Sequence, residues 1–324
     1  MGMSTFNQGF AGGISIRGVP LIQTHPGNVY WVGSDTASLP PNCKTPSDGN
    51  SGTFLAPFAT IDYAVGKCVA GRGDIIFVRP GHVETIIAAG GLTLDVAGIA
   101  VVGLGTGSLR PQLSFGTATS ATIAISAANV TLINFRMTGD IDALSGPVQI
   151  TAGYCRLIDC EYRDVTGQAT ECIVAGSSSD DLVIDGYIHY GAAAAGAQSA
   201  IALSGCDRPT IKNFKLIGNF SVGAINLRTA ASTLIDVFDG YIWTQNAADI
   251  CIVDTITAST GKIGPNICMM VTDNAANITE AITGATFQYF GAGETAGLNG
   301  ASLLVCNLAG EGAMTLNKTQ STDA

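Results

Sequence analysis

Short apolar runs recur between residues 121 and 254 with the period of strands: "ATIAIS" (121–126), "PVQIT" (147–151), "ECIVAG" (171–176), "SAIALSG" (199–205), "GAINLR" (223–228) and "DICIVD" (249–254). Apolar positions that alternate or run together over such lengths predict strands buried against neighbours. Helical spacing is absent between 75 and 290, where Gly, Thr and β-branched residues abound, and these are poor helix formers. Helical solenoids are therefore excluded.

A second pattern follows each run. "TLINFRMTG" (131–139) and "TIKNFKLIG" (210–218) nearly coincide, and the Asn of each defines a position n with equivalents at Asn134, Asp159, Asp185, Asn213 and Asp239, spaced by 25, 26, 28 and 26 residues. Position n−2 reads Leu132, Leu157, Val183, Ile211, Val237, and n+3 reads Met137, Tyr162, Ile188, Leu216, Ile242, so both columns face a core. Position n+1 (Phe135, Cys160, Gly186, Phe214, Gly240) is apolar or small, while n+2 (Arg136, Glu161, Tyr187, Lys215, Tyr241) can face water. A continuous strand would put n−2 and n+1 on opposite faces. The chain must bend at n, where Asn, Asp and Gly tolerate a left-handed residue.

Three short strands and three corners fill each lap of about 25 residues, which predicts an all-β right-handed parallel β-helix, its coils stacked at ~4.8 Å. From Asp74 to about Phe290 these coils would build a rod ~40 Å long. An open rod exposes unpaired strand edges, so its ends need caps. "APFATIDYAVGKCVA" (56–70) aligns Phe58, Ile61, Val65, Cys68 and Val69 on one helical face and predicts one capping helix. The expected organisation is an N-terminal extended arm and base at 1–55, the helix and a turn at 56–73, the β-helix at 74–290, and a C-terminal cap and tail at 291–324.

In the arm, Phe6, Phe10, Ile14, Ile16, Val19 and Leu21 are scattered among Gly and polar residues, a composition suited to an interface with another subunit or to folding over its own rod. Beyond Met270, Phe287, Tyr289, Phe290, Leu303, Leu304 and Val305 are candidates for capping the far end or joining subunits.

The stretch "GTFLAPFATIDYAV" followed by "GDIIFVRPGHVETI" resembles the leading segment of pectin-lyase-like β-helix proteins, particularly those of tailed bacteriophages. The motif covers about 35 residues and the coils extend the likeness over roughly two thirds of the chain. The resemblance implies a virion protein made in the host cytoplasm: a homotrimeric structural protein that decorates and cements the capsid surface, with the major capsid protein as partner. Its alternative is a tailspike or fibre component that binds or cleaves a bacterial surface polysaccharide, with a glycan as partner in that case alone. The fold itself carries lyases, hydrolases, adhesins and inert proteins, so it does not choose between them.

Composition narrows the partners. A formal charge of −10 and a pI near 4.6, with no basic stripe, exclude a nucleic acid held through its phosphates. Mean hydropathy is +0.35, yet the most apolar region, "LTLDVAGIAVVGLG" (92–105), contains Asp95 and is too short to cross a bilayer, so no membrane partner is expected. Only 12% of residues are charged, against roughly 25% in average domains, so small polar groups or further protein must cover the surface. "MGMSTFNQGFAGGISI" shows no secretory leader. The nine cysteines are odd in number and lack zinc spacing, which favours free thiols in a reducing cytoplasm.

For chemistry, the densest cluster is "DCEYRDV" (159–165), with Asp159, Glu161, Arg163 and Asp164, joined by Asp180, Asp181, Asp185, Arg136 and Lys215 on neighbouring coils. Polysaccharide lyases of the resembled fold use grouped carboxylates and a basic residue, and glycosidases need two carboxyls at set separation. Asp159 and Asp185 already serve as corners, and Glu161 beside Arg136 suffices as a surface pair. The expectation is thus a chain that is not an enzyme, with no catalytic, cofactor or metal residues. Tyr187 and Tyr241 are candidates for stacking on sugars. His25, His82 and His189 read as structural, and the GxGxG run in "VVGLGTGS" precedes no helix pattern.

Overall fold

The computed structural model describes residues 27–271, except 36, 165–168, 192–195, 245–249 and 257, together with short strands at 14–16, 19–21, 282–283, 287–289, 293–297 and 302–305. Three parallel ladders wind into the expected β-helix. Sheet 1 contains Ile75–Val78, Ala100–Gly103, Thr131–Ile133, Arg156–Ile158 and Val183–Asp185; sheet 2 contains Gln112–Phe115, Arg136–Gly139, Glu161–Asp164 and Ile188–Tyr190. Thr210–Gly218 and Ile235–Thr244 run unbroken from sheet 1 into sheet 2. Sheet 3 stacks Leu92–Leu94, Ile123–Ile125, Leu144–Ile150, Ala169–Ala175, Ser199–Leu203 and Gly223–Leu227.

Register explains the core. Val101, Leu132, Leu157, Ile184, Ile211 and Val237 lie opposite one another on successive coils of sheet 1, and all are buried. Sheet 3 contributes a matching column of Leu92, Ile123, Val148, Ile173, Ile201 and Ile225. Aliphatic side chains thus stack on their own kind along the rod, where each is sealed by the coil on either side.

The bend between sheets 1 and 2 lies at Asn134, Asp159, Asn213 and Asp239, whose φ values are 62, 52, 53 and 52°. In the coil between Asp159 and Asn213 the left-handed residue is Gly186 (φ 74°), so Asp185 is not the corner there but the last residue of a sheet 1 strand. A one-residue slip inverts every side chain of a strand. Ile184 rather than Val183 therefore points inward, Tyr187 and His189 are buried, and Ile188 faces out. One further corner, Asn266 (φ 59°), extends the column.

Corner side chains also bind across coils. Asn134 Nδ2 donates to the Gly103 and Gly105 carbonyls at 2.8 and 2.9 Å, which gives the GxGxG run a structural use. Asn213 and Asn266 donate to Asp185 and Asp239, each at 2.8 Å.

At the front, the helix is only Ile61–Val65, with Thr60 as its N-cap accepting from the Tyr63 amide. Ile61 and Val65 are buried, whereas Val69 lies beyond the helix and is exposed. Asp48 ties the preceding loop to this start by accepting from the Ala59 and Thr60 amides. Ile14–Ile16 and Val19–Leu21 pair antiparallel as a separate ribbon. Phe6, Phe10 and His25 lie outside the described residues, as do the side chains of Ile14, Ile16, Val19 and Leu21.

Candidate functional site

Outward positions on sheet 2 form two columns at the coil pitch. One reads Gln112, Arg136, Glu161, Ile188, Lys215, Tyr241; the other reads Ser114, Thr138, Arg163, Tyr190, Ile217, Trp243. Cross-coil neighbours here are ~4.8 Å apart, so charges on adjacent coils interact directly.

Glu161 is the hub. Its carboxylate accepts from Arg110 Nη1 at 3.0 Å and from Arg163 Nε, and Arg136 Nε lies 3.7 Å away. The Glu161 side chain is only 7% exposed, while Arg163 is 47% exposed. Arg136 is oriented by a second bond, from Nη2 to the Gly107 carbonyl at 2.9 Å. Tyr190 lies beside this group with the Arg163 guanidinium 5.1 Å and Lys215 Nζ 5.5 Å from its ring centroid. Cations from the coil before and the coil after flank a single ring.

Four cations and one carboxylate thus gather on one face of a chain whose formal charge is −10. Three guanidiniums carry far more N–H donors than one carboxylate can accept. The buried Nε atoms of Arg110 and Arg136 have no hydrogen-bond partner. The arrangement therefore holds a surplus of positive charge in a planar, fork-shaped geometry that suits carboxylate or sulfate groups. Tyr190, Tyr241 and Trp243 supply half-buried aromatic surface on the same sheet face.

Of the cluster expected from sequence, the fold brings together Glu161, Arg136, Arg163 and Lys215. Asp159 stays at its corner, and Asp164 lies at the strand end beside Tyr162. Asp180 and Asp181 belong to the corner between sheets 3 and 1, and Asp185 pairs with Lys212 at 3.2 Å on sheet 1. Tyr187, expected on the surface, is fully buried and cannot stack on a ligand. Arg110 and Tyr190 join the site unannounced.

Elsewhere the titratable groups serve the core. His189 stacks on Tyr162 at 5.5 Å and abuts Phe220 at 5.2 Å, and burial pushes its pKa down to about 3. Burial raises the Cys160 thiol to about 11. His82 pairs with Glu84 at 3.1 Å, and Glu84 in turn accepts from the Ile61 amide. Among the described residues no group of three or more His, Cys, Asp or Glu side chains converges as metal ligands would, and no helix is long and apolar enough to cross a membrane.

Neither the family models nor the curated proteins match this chain. Among solved structures, a rhamnogalacturonan lyase is similar at 14% identity and a TM-score of 0.47, over 78% of this chain and 75% of that one. The expectation that the chain is not an enzyme is corrected accordingly: its structural likeness is to a lyase, and a likeness this distant leaves catalysis open in both directions.

Proposed function

We propose that this chain binds an acidic polysaccharide along the outer face of sheet 2. The observation that carries the reading is the cationic cluster of Arg110, Arg136, Arg163 and Lys215 around one nearly buried carboxylate, on a protein that is otherwise acidic. Carboxylate or sulfate groups along a glycan would pair with the exposed Arg163 guanidinium and Lys215 ammonium, and the aromatic residues of the same face would meet the apolar faces of the sugar rings. A tailed-phage particle that meets a bacterial surface polysaccharide is the setting suggested by the leading-segment resemblance.

The test is a titration of the purified chain with polygalacturonate and with uncharged dextran, in low and in raised salt. Binding to the acidic polymer alone, weakened by salt and reduced by about tenfold or more in Arg163→Ala/Lys215→Ala, is the expected result. Equal binding of the two polymers, or a variant that binds like the parent, would sink the reading. Unsaturated ends released from the polygalacturonate in the same samples would show that the face also cleaves.

A second reading, capsid decoration, draws on a different surface. Trp31, Phe77, Val102, Ile133 and Ile158 form an apolar outward column on the first coils of sheet 1, which suits contact with another protein. Copies distributed over the heads of virions by imaging would support it; copies restricted to tails would favour the polysaccharide reading.

A further inference from the structure

Exposed apolar groups are distributed unevenly along the rod. Of the eleven exposed large hydrophobic side chains among the described residues, eight lie between residues 29 and 87, which hold the cap and the first lap. Val69 and Ile87 are 49% and 60% exposed, and Val29, Phe54, Leu55 and Tyr63 belong to the same group. The coils beyond bury almost all of theirs. Apolar surface gathered at one end of a rod marks a place where something packs.

The chain brings a complementary apolar surface to the same end. Its paired strands have the register Ile14↔Leu21, Ser15↔Pro20 and Ile16↔Val19. Because side chains alternate along a strand and directly opposed residues share a face, Ile14, Ile16, Val19 and Leu21 fall on one face of the ribbon, and Ser15 and Pro20 fall on the other. A two-stranded ribbon alone is marginal in water, and one with a wholly apolar face needs a surface to lie on.

The root of the arm fixes where it can go. Asp74, fully buried, accepts from the Asn28 amide at 2.6 Å, from the Val69 amide at 2.8 Å and from Arg72 through both Nε and Nη2 at 2.7 Å. One carboxylate thus clamps the arm to the end of the cap. Gly27 lies so close to Gly73 that a Cβ would sit 2.4 Å from its carbonyl oxygen. From Leu21 to Gly27 the chain spans at most ~21 Å, so the ribbon is held beside the cap at a high effective concentration.

We propose that the ribbon Ile14–Leu21 docks its apolar face on the front end of its own rod, as a second layer over the capping helix. The occupant is this chain's own segment, because the tether delivers it there before any other molecule can arrive. The outer face of sheet 2 stays open, so the docking stands apart from the polysaccharide reading.

The experiment is hydrogen exchange of the full chain, read by mass spectrometry over a concentration series, for the parent and for Val69→Ser/Ile87→Ser. Exchange over 75–85 and 131–139 reports whether the coils are kept. Amides of Ile14–Leu21 should exchange about tenfold or more slower in the parent than in the variant, at every concentration and with the coils unchanged. Equal exchange in the two chains overturns the proposal. So does protection that appears only as concentration rises, which would put the ribbon on another copy. Ile16→Ser/Val19→Ser gives the reciprocal reading: uncovering the front end should raise the fluorescence of bound anilinonaphthalene sulfonate about twofold or more. Dye binding equal to that of the parent overturns the proposal, even where Val69→Ser/Ile87→Ser fails to fold.

Discussion

The two corners that flank sheet 1 solve one steric problem with different residues. Between sheets 1 and 2 the left-handed position is held by Asn134, Asp159, Gly186, Asn213 and Asp239, each a residue that adopts that conformation at little cost. Between sheets 3 and 1 it is held by Tyr154, Asp181, Arg208 and Leu234, three of which do not. The backbone is the same and the coil pitch is the same. What differs is how the side chains serve the coils: the first column bonds across coils with short amides and carboxylates, whereas in the second the long side chains of Tyr154 and Arg208 reach Asp181 and Leu234 lies exposed. A position under purely conformational demand converges on few residue types, and departure from them marks a second demand.

Inside the rod that contrast should vanish, and the largest expected effect tests this. Ile211, fully buried two residues before the Asn213 corner, should cost about 3 kcal/mol on replacement by Ala, and Ile235, buried one residue after Leu234, should cost about as much. Chemical denaturation of the two variants measures both, and a large inequality would mean that the corners do not share one core. Gly240 adds a packing limit, because a Cβ there would lie 2.0 Å from the Phe214 ring, so Gly240→Ala should destabilise by about 1–3 kcal/mol.

His189 sharpens the picture of the interior. Its folded pKa is lowered to about 3, against ~6.5 in an unfolded chain, so between these values the unfolded state binds the extra proton. Its stabilising share is complete above about pH 6.5 and declines by about 1.4 kcal/mol per pH unit as pH falls toward 3. Tyr162, Tyr187 and Phe220 surround the ring, and Asp164 lies near Tyr162. Denaturation curves between pH 7 and 5, taken for the parent and for His189→Leu, should show that slope in the parent and lose it in the variant.

On the outer face of sheet 2 the expected effect falls on binding and not on stability. Glu161→Gln removes the one carboxylate that occupies three guanidiniums, so binding of polygalacturonate should tighten by about tenfold, the scale of one charge-assisted bond. Titration at fixed salt reads it, and weaker binding would mean that Glu161 orients the arginines more than it neutralises them.

The sequence displays the fold because a solenoid repeats its inward positions. Asn134 and Asn213 stand amid nearly identical neighbours, and Leu132, Leu157 and Ile211 repeat one chemistry. It misleads at "VIDGYIH", where Asp185 and Gly186 both suit a corner and Val183, Ile184, Tyr187 and Ile188 are apolar in either register. That ambiguity moved Tyr187 to the surface and Ile188 into the core. Arg110 escaped notice because it precedes Pro111 in a turn before its strand, outside the repeating columns, and reaches Glu161 only across two coils. The second corner was illegible for a physical reason. Tyr154, Arg208 and Leu234 carry no signature of left-handed backbone, so only coordinates reveal that they align with Asn129.

A reciprocal exchange between the two corners is the most direct test, with the smallest expected effect. Measured by chemical denaturation at low protein concentration, Leu234→Asn should raise the unfolding free energy by about 1 kcal/mol and Asn213→Leu should lower it by about as much. Opposite signs are the predicted result. A Leu234→Asn chain less stable than its parent would contradict the account, because the left-handed backbone would then not be what Leu234 costs the fold.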